Sequence, residues 1–183
     1  IADVYVYTTL IHAYAQRGDH NNACGAYSRM VDASIKPTYK TFNTLISTCA
    51  TRGDIAEASA WLDRMCDAGV PADVLTFTAM IAACATAGEP QAAESWFQRM
   101  RDSRIEPDVV SFGAVIKAYA LVGDTDGVDK CLARMDAEGV QPDVPLFTSA
   151  NDACKKSRNL AHAESFFACM QSAGVTRSRH TLL

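Results

Sequence analysis

Residues 75–109 read LTFTAMIAACATAGEPQAAESWFQRMRDSRIEPDV, and this stretch decides the fold because its punctuation recurs along the chain. Its aromatic, Phe77, has counterparts at Tyr7, Phe42, Phe112 and Phe147, and its Met100 has counterparts at Met30, Met65, Met135 and Met170, every step being 35 residues. Gly88 returns as Gly18, Gly53 and Gly123, with Arg158 in the fifth copy. Ala93 returns as Ala23, Ala58 and Ala163, with Val128 in the fourth. A fixed period of this size is the signature of a repeat architecture. Opening each unit two residues before its aromatic gives repeats 5–39, 40–74, 75–109, 110–144 and 145–179 in one array over 1–183, with partial repeats at 1–4 and 180–183. Both ends are expected to be cut from a longer array or to have diverged.

Within a unit, the part before the glycine carries an apolar stripe at i, i+3, i+4 and i+7, such as Phe42, Leu45, Ile46 and Cys49, which predicts a helix, here helix A. The glycine stops it by entering the left-handed region. A second stripe, such as Ala58, Trp61, Leu62 and Met65, predicts helix B, and Gly69, Gly139 and Gly174 end that helix. The Pro-Asp pairs at 107–108 and 142–143 hold the chain extended before the next unit. A helix pair this short buries too little surface to stand alone, so stacking must supply its core. The expected fold is all-α: a right-handed α-solenoid of stacked helix-turn-helix repeats.

With 49% hydrophobic and 21% charged residues the chain sits in the ordinary globular range. No apolar run approaches the ~18 residues of a membrane span, so no membrane insertion is expected. The net charge of −4 lacks the basic excess common in nucleic-acid-binding domains. Charge is nevertheless segregated. The windows 5–17, 40–52, 75–87, 110–122 and 145–157 hold Arg17, Lys40, Arg52, Lys117, Lys155 and Lys156 against Asp152 alone, a balance of +5 that leaves −9 elsewhere. Seven cysteines without a C-x-x-C pair fit neither a disulfide framework nor a zinc site, and reduced thiols are expected.

A 35-residue helix pair with an early aromatic, Gly between its helices, a late Met and a Gly-(Ile/Val)-x-Pro-Asp connector resembles the pentatricopeptide repeat family, and the resemblance covers all five units. It implies a reader of single-stranded RNA in which helix A lines a concave groove and each repeat faces about one base. The resemblance assigns base reading to the residue after each aromatic, here Thr8, Asn43, Thr78, Gly113 and Thr148, paired with the connector residues Thr38, Asp73, Asp108, Asp143 and Ser178. Asn43 with Asp73 then resembles a uracil reader and Thr78 with Asp108 a guanine reader. An Asn amide offers donor and acceptor to a pyrimidine edge, whereas a short Thr hydroxyl leaves room for a purine. Thr8/Thr38 and Thr148/Ser178 depart from the usual connector, and Gly113 has no side chain to read with. The implied preference runs purine, U, G, unspecified, purine from 5′ to 3′. The resemblance also implies base clamping by the residue that opens each repeat, in the column Tyr5, Lys40, Leu75, Val110, Pro145 and His180; Leu75 and Val110 fit that role, Lys40 equally suits a phosphate, and Pro145 also reads as a helix start. Arg17, Arg52 and Lys117 are candidate phosphate contacts.

Enzyme chemistry is not expected. His162-Ala163-Glu164 echoes the H-x-E of zinc deaminases, but no P-C-x-x-C follows, and Ala163 belongs to the repeat's small column. Cys49, Cys84 and Cys154 hold equivalent helix A positions and read as small packing residues, His12, His20 and His180 are scattered, and Lys155-Lys156-Ser157-Arg158 suits a helix C-terminus as well as a phosphate. No metal, cofactor or small-molecule substrate is expected. The expected partner is single-stranded RNA, in support of organellar RNA processing, stability or translation. The alternative is a non-catalytic scaffold binding protein partners in a large organellar complex, such as a ribosome or membrane complex, for which exposed Trp61 and Trp96 would be the sign. The family resemblance implies a mitochondrion or chloroplast, and any targeting peptide is expected to be absent from this chain, which opens at Ile1.

Overall fold

In a computed structural model, residues 3–172 of the chain are described. They form helices α1 (Val4–Gln16), α2 (His20–Asp32), α3 (Tyr39–Arg52), α4 (Ile55–Asp67), α5 (Val74–Ala87), α6 (Pro90–Asp102), α7 (Val109–Val122), α8 (Thr125–Ala137), α9 (Val144–Ser157) and α10 (Leu160–Ser172), with no strand among the described residues. Odd-numbered helices are helix A of successive repeats and even-numbered ones helix B.

Each helix A opens one residue before the repeat bound set by its aromatic, because the connector residue ahead of it is the N-cap. The carboxylates of Asp3, Asp73, Asp108 and Asp143 accept hydrogen bonds from the backbone N–H groups of Val6, Thr76, Ser111 and Leu146 at 3.0, 2.9, 2.8 and 2.9 Å. Thr38 forms a capping box with Thr41. Helix B is capped the same way in three repeats, by Asp19, Asp54 and Asp124, while α6 begins on Pro90. Gly53 ends α3 at φ +69°, and a Cβ there would lie 3.1 Å from the backbone nitrogen of Ala87 in the next helix A, so the turn tolerates no side chain. The fifth copy closes with Arg158 in the left-handed region at φ +55°.

Stacking follows one rule. Helices α1, α3, α5, α7 and α9 pack on one another in series; each helix B packs on its own helix A, and α2, α4, α6 and α8 pack also on the helix A of the next repeat. No two helix B elements share an extensive contact; long side chains bridge them instead. His20 Nε2 meets Glu57 Oε1 at 2.7 Å, His162 Nε2 meets Asp129 Oδ2 at 3.0 Å, and Arg134 pairs with Glu94. A wall whose A helices are close and whose B helices are splayed curves with helix A on the inner face.

The core runs along the seam between the two layers. The columns found in the sequence line it: Met30, Met65, Met100 and Met135 are fully buried, as are Phe42, Phe112, Ala23, Ala58 and Ala93. Aromatic pairs tie units together, Phe97 with Phe112 and Tyr27 with Trp61, each at 4.8 Å between centroids. Trp61 and Trp96 are buried, with the guanidinium groups of Arg64 and Arg99 over their rings at 4.5 and 4.1 Å. These arginines belong to a further column, Arg29, Arg64, Arg99 and Arg134, that the sequence also carries. Where Cys131 replaces the tryptophan, Arg134 lies 4.7 Å over Phe97 instead and reaches Glu94.

Candidate nucleic-acid interface

The inner wall presents one face of each helix A. In α3 that face is Lys40, Asn43, Ser47 and Thr51, spaced by one helical turn, while Phe42, Leu45, Ile46 and Cys49 point into the core. The column assigned to base clamping is exposed throughout its described members. Tyr5 is 76%, Leu75 64% and Val110 60% accessible, and Lys40 and Pro145 are exposed. The large apolar side chains of this column, Tyr5, Leu75 and Val110, are surface left open by the packing.

Next to this column stands the reading column. Asn43 is half-buried; its Nδ2 donates to both carboxylate oxygens of Asp73 at 3.1 and 3.3 Å, and its Oδ1 accepts from the Thr76 hydroxyl at 2.7 Å. An amide has two N–H donors and two lone pairs, so one donor and one acceptor remain free. Burial works against the Asp73 carboxylate, yet hydrogen bonds led by the Thr76 backbone N–H, with that from Asn43, outweigh it and hold its pKa below the ordinary carboxylate value. Asp73 is therefore an ionised acceptor.

The other registers differ. The Thr78 hydroxyl is buried with no hydrogen-bond partner among the described residues, and the carboxylate of Asp108, the connector residue paired with it by the resemblance, caps α7. Thr8 donates to the Val4 carbonyl and lies 3.3 Å from the Thr41 hydroxyl. Thr148 donates to the Val144 carbonyl; its connector partner Ser178 lies outside the described residues, as does His180. Gly113 faces open space, with nothing within 4 Å of a Cβ placed there. Replacing Gly113 with Asn is thus expected to leave the melting midpoint unchanged or slightly raised, since Asn is a better helix former than Gly by roughly a few tenths of a kcal/mol. It is also expected to create a uracil preference opposite the fourth repeat with Asp143 as partner, read by comparing RNAs that vary that base.

Of the candidate phosphate contacts, Arg17 and Lys117 are exposed and form no ion pair among the described residues, and Lys117 lies one turn beyond Gly113 on the same face. Arg52 instead turns toward helix B and pairs with Glu57 at 3.3 Å and Asp54 at 3.6 Å. Lys155 pairs with Asp152 at 3.3 Å, and Lys156 donates to the Leu121 carbonyl. The helix A charge is therefore partly consumed inside the fold.

Outside the wall, His20, Cys24 and Glu57 bring three ligand-type atoms within 4.8 Å of one another. The 2.7 Å between His20 Nε2 and Glu57 Oε1 is a direct hydrogen-bond distance, so the trio acts as a latch between α2 and α4. The buried thiols are inert: burial pushes Cys49 and Cys131 up to about 12 and Cys84 up to about 11. The sequence reading missed two features of the interface. One is the capping role of the connector aspartates, whose signal was present in Asp73-x-x-Thr76 and Asp108-x-x-Ser111. The other is the hydroxyl column Thr41, Thr76 and Ser111, fully buried between one reader and the next helix.

Fold and wall together define an α-solenoid of 35-residue helix pairs with an open, one-side-chain-per-repeat inner face. The chain belongs to the family described as the pentacotripeptide-repeat region of PRORP, whose model matches residues 5–172. Among solved structures it is similar to the pentatricopeptide repeat protein PPR10 in complex with an 18-nt psaJ RNA element, at 23% identity and a TM-score of 0.78, over 99% of this chain and 30% of that one. PPR10 from maize in a second crystal structure matches at 24% identity and a TM-score of 0.73, over 99% of this chain and 26% of that one. The PPR domain of Arabidopsis thaliana protein-only RNase P 1 in complex with tRNA matches at 16% identity and a TM-score of 0.77, over 98% of this chain and 95% of that one. At these identities the likeness is one of fold, and the chain spans 26–30% of the PPR10 chains it matches. No curated protein matches in sequence.

Proposed function

We propose that the helix A wall binds single-stranded RNA at about one base per repeat, with Asn43/Asp73 selecting uracil and Thr78/Asp108 selecting guanine. One observation carries this reading: exposed Tyr5, Leu75 and Val110 stand at repeat spacing beside polar side chains with hydrogen-bonding capacity left over, on a face the chain does not otherwise use. Apolar surface beside donors and acceptors is what an unstacked base requires. PPR10 and the RNase P 1 domain, which share the fold, were each solved with RNA. The wall is read as a binding surface rather than a catalytic one, serving organellar RNA processing, stability or translation. The scaffold reading gains nothing from Trp61 and Trp96, whose rings are buried.

A titration with short RNAs at several salt concentrations tests it. With Arg17, Lys40 and Lys117 as phosphate contacts, log affinity against log salt is expected to fall with a slope of about −2, at roughly −0.7 per phosphate on single strands. Absence of binding, or affinity indifferent to salt, favours the protein scaffold.

A further inference from the structure

We propose that Thr76 is a positioning residue for base reading, its hydroxyl fixing the orientation of the Asn43 amide from the neighbouring repeat. This rests on the reading of the wall as an RNA surface. An Asn amide can flip by half a turn, exchanging its donor and acceptor ends, and a flipped amide would present the wrong pattern to uracil. Asp73 attracts only the nitrogen end. Thr76 supplies the complementary restraint: its Oγ1 accepts the Asp73 backbone N–H at 3.1 Å and lies 2.7 Å from Asn43 Oδ1 and 2.8 Å from Asp73 Oδ1, and its single hydroxyl hydrogen sits on the shorter contact, toward the amide oxygen. With nitrogen toward the carboxylate and oxygen toward the hydroxyl, one amide state is selected before any base arrives.

Capping does not account for this hydroxyl. In the last described register its place is taken by Leu146, and Asp143 still caps the Leu146 N–H at 2.9 Å, the same distance as Asp73 to the Thr76 N–H. The helix start therefore forms without a hydroxyl at this position. What differs is the reader opposite. Thr41 lies against Thr8, Thr76 against Asn43, and Leu146 follows the one reader without a side chain, Gly113. Ser111 donates to the Asp108 carbonyl at 2.8 Å, and the buried Thr78 hydroxyl has no partner among the described residues. Thr41 and Thr76 thus meet the reader opposite, and Ser111 does not.

Thr76→Val keeps the shape and removes the hydroxyl, and Thr76→Ser restores it. Binding is measured to RNAs that carry each of the four bases opposite Asn43, with the guanine preference opposite Thr78 as an internal control. Thr76→Val is expected to cut the uracil preference about five- to tenfold, the effect of one hydrogen bond, while the guanine preference persists and Thr76→Ser behaves as wild type. In the free protein, the Asn43 side-chain amide is expected to give a slowly exchanging NMR pair that is lost in Thr76→Val. Thr76→Ala serves the same purpose if the valine variant does not fold. A uracil preference unchanged in Thr76→Val, or lost equally in Thr76→Ser, overturns the proposal alone. A wild-type protein that binds no RNA overturns the reading of the wall.

Discussion

Replacing Gly127 with alanine is expected to destabilise the protein by about 1–2 kcal/mol and to lower its melting midpoint by several degrees, at ~2–4 °C per kcal/mol for a chain of this size. A methyl group on Gly127 would lie 2.7 Å from Cγ of Tyr119 and closer still to Cδ1 and Cε1, against a ring rather than the free end of a flexible chain. Overpacking of this kind costs about 1–3 kcal/mol, and the better helix propensity of alanine returns at most ~1 kcal/mol. The repeat supplies its own control. The positions equivalent to Tyr119 and Gly127 in the preceding unit are Cys84 and Ala92, a small residue facing a small residue. In a Tyr119→Cys background, Gly127→Ala is therefore expected to be neutral or stabilising, because the double variant rebuilds that pair. A double-mutant cycle by urea unfolding measures the coupling. The same cost for Gly127→Ala in both backgrounds would contradict the assigned packing.

The second large effect is on recognition. Asn43→Thr makes the reading pair of the second repeat a copy of the Thr78/Asp108 pair in the third, deleting the amide that is bonded to Asp73 and Thr76. A uracil opposite would lose its donor and acceptor partners, and the shorter hydroxyl would admit a purine. Preference at that single base is expected to move from U to G by about five- to tenfold, while neighbouring bases keep theirs. Competition between RNAs differing only at that base gives the result directly; a preference that stays with U would show that the register of bases on repeats is wrong.

Most of the architecture was legible in the sequence because each repeat states it again. Met65, Met100 and Met135, or Ala58 and Ala93, are buried for the same geometric reason, so a column read five times stands clear of chance. The interface was legible less evenly. Leu75 and Val110 are exposed, since a residue opening helix A faces away from the seam. The capping role of the connector aspartates was not read: Asp73 caps α5 through an oxygen that also holds Asn43. The charge of the wall was overstated, because the sequence places Arg52 on helix A but cannot show that it folds across the turn onto Glu57. Local pattern reports which face a residue occupies. Which partner a long side chain finds across a turn depends on the tertiary approach of two helices.

The wall itself is tested most directly by photocrosslinking: a short RNA carrying 4-thiouridine opposite Asn43, irradiated on the wild-type protein, with the attachment sites mapped by mass spectrometry. Attachment at the inner face of α3 and α5, around Lys40, Asn43 and Leu75, is the expected result. Attachment confined to the helix B layer, or none at RNA concentrations that saturate binding, would contradict it.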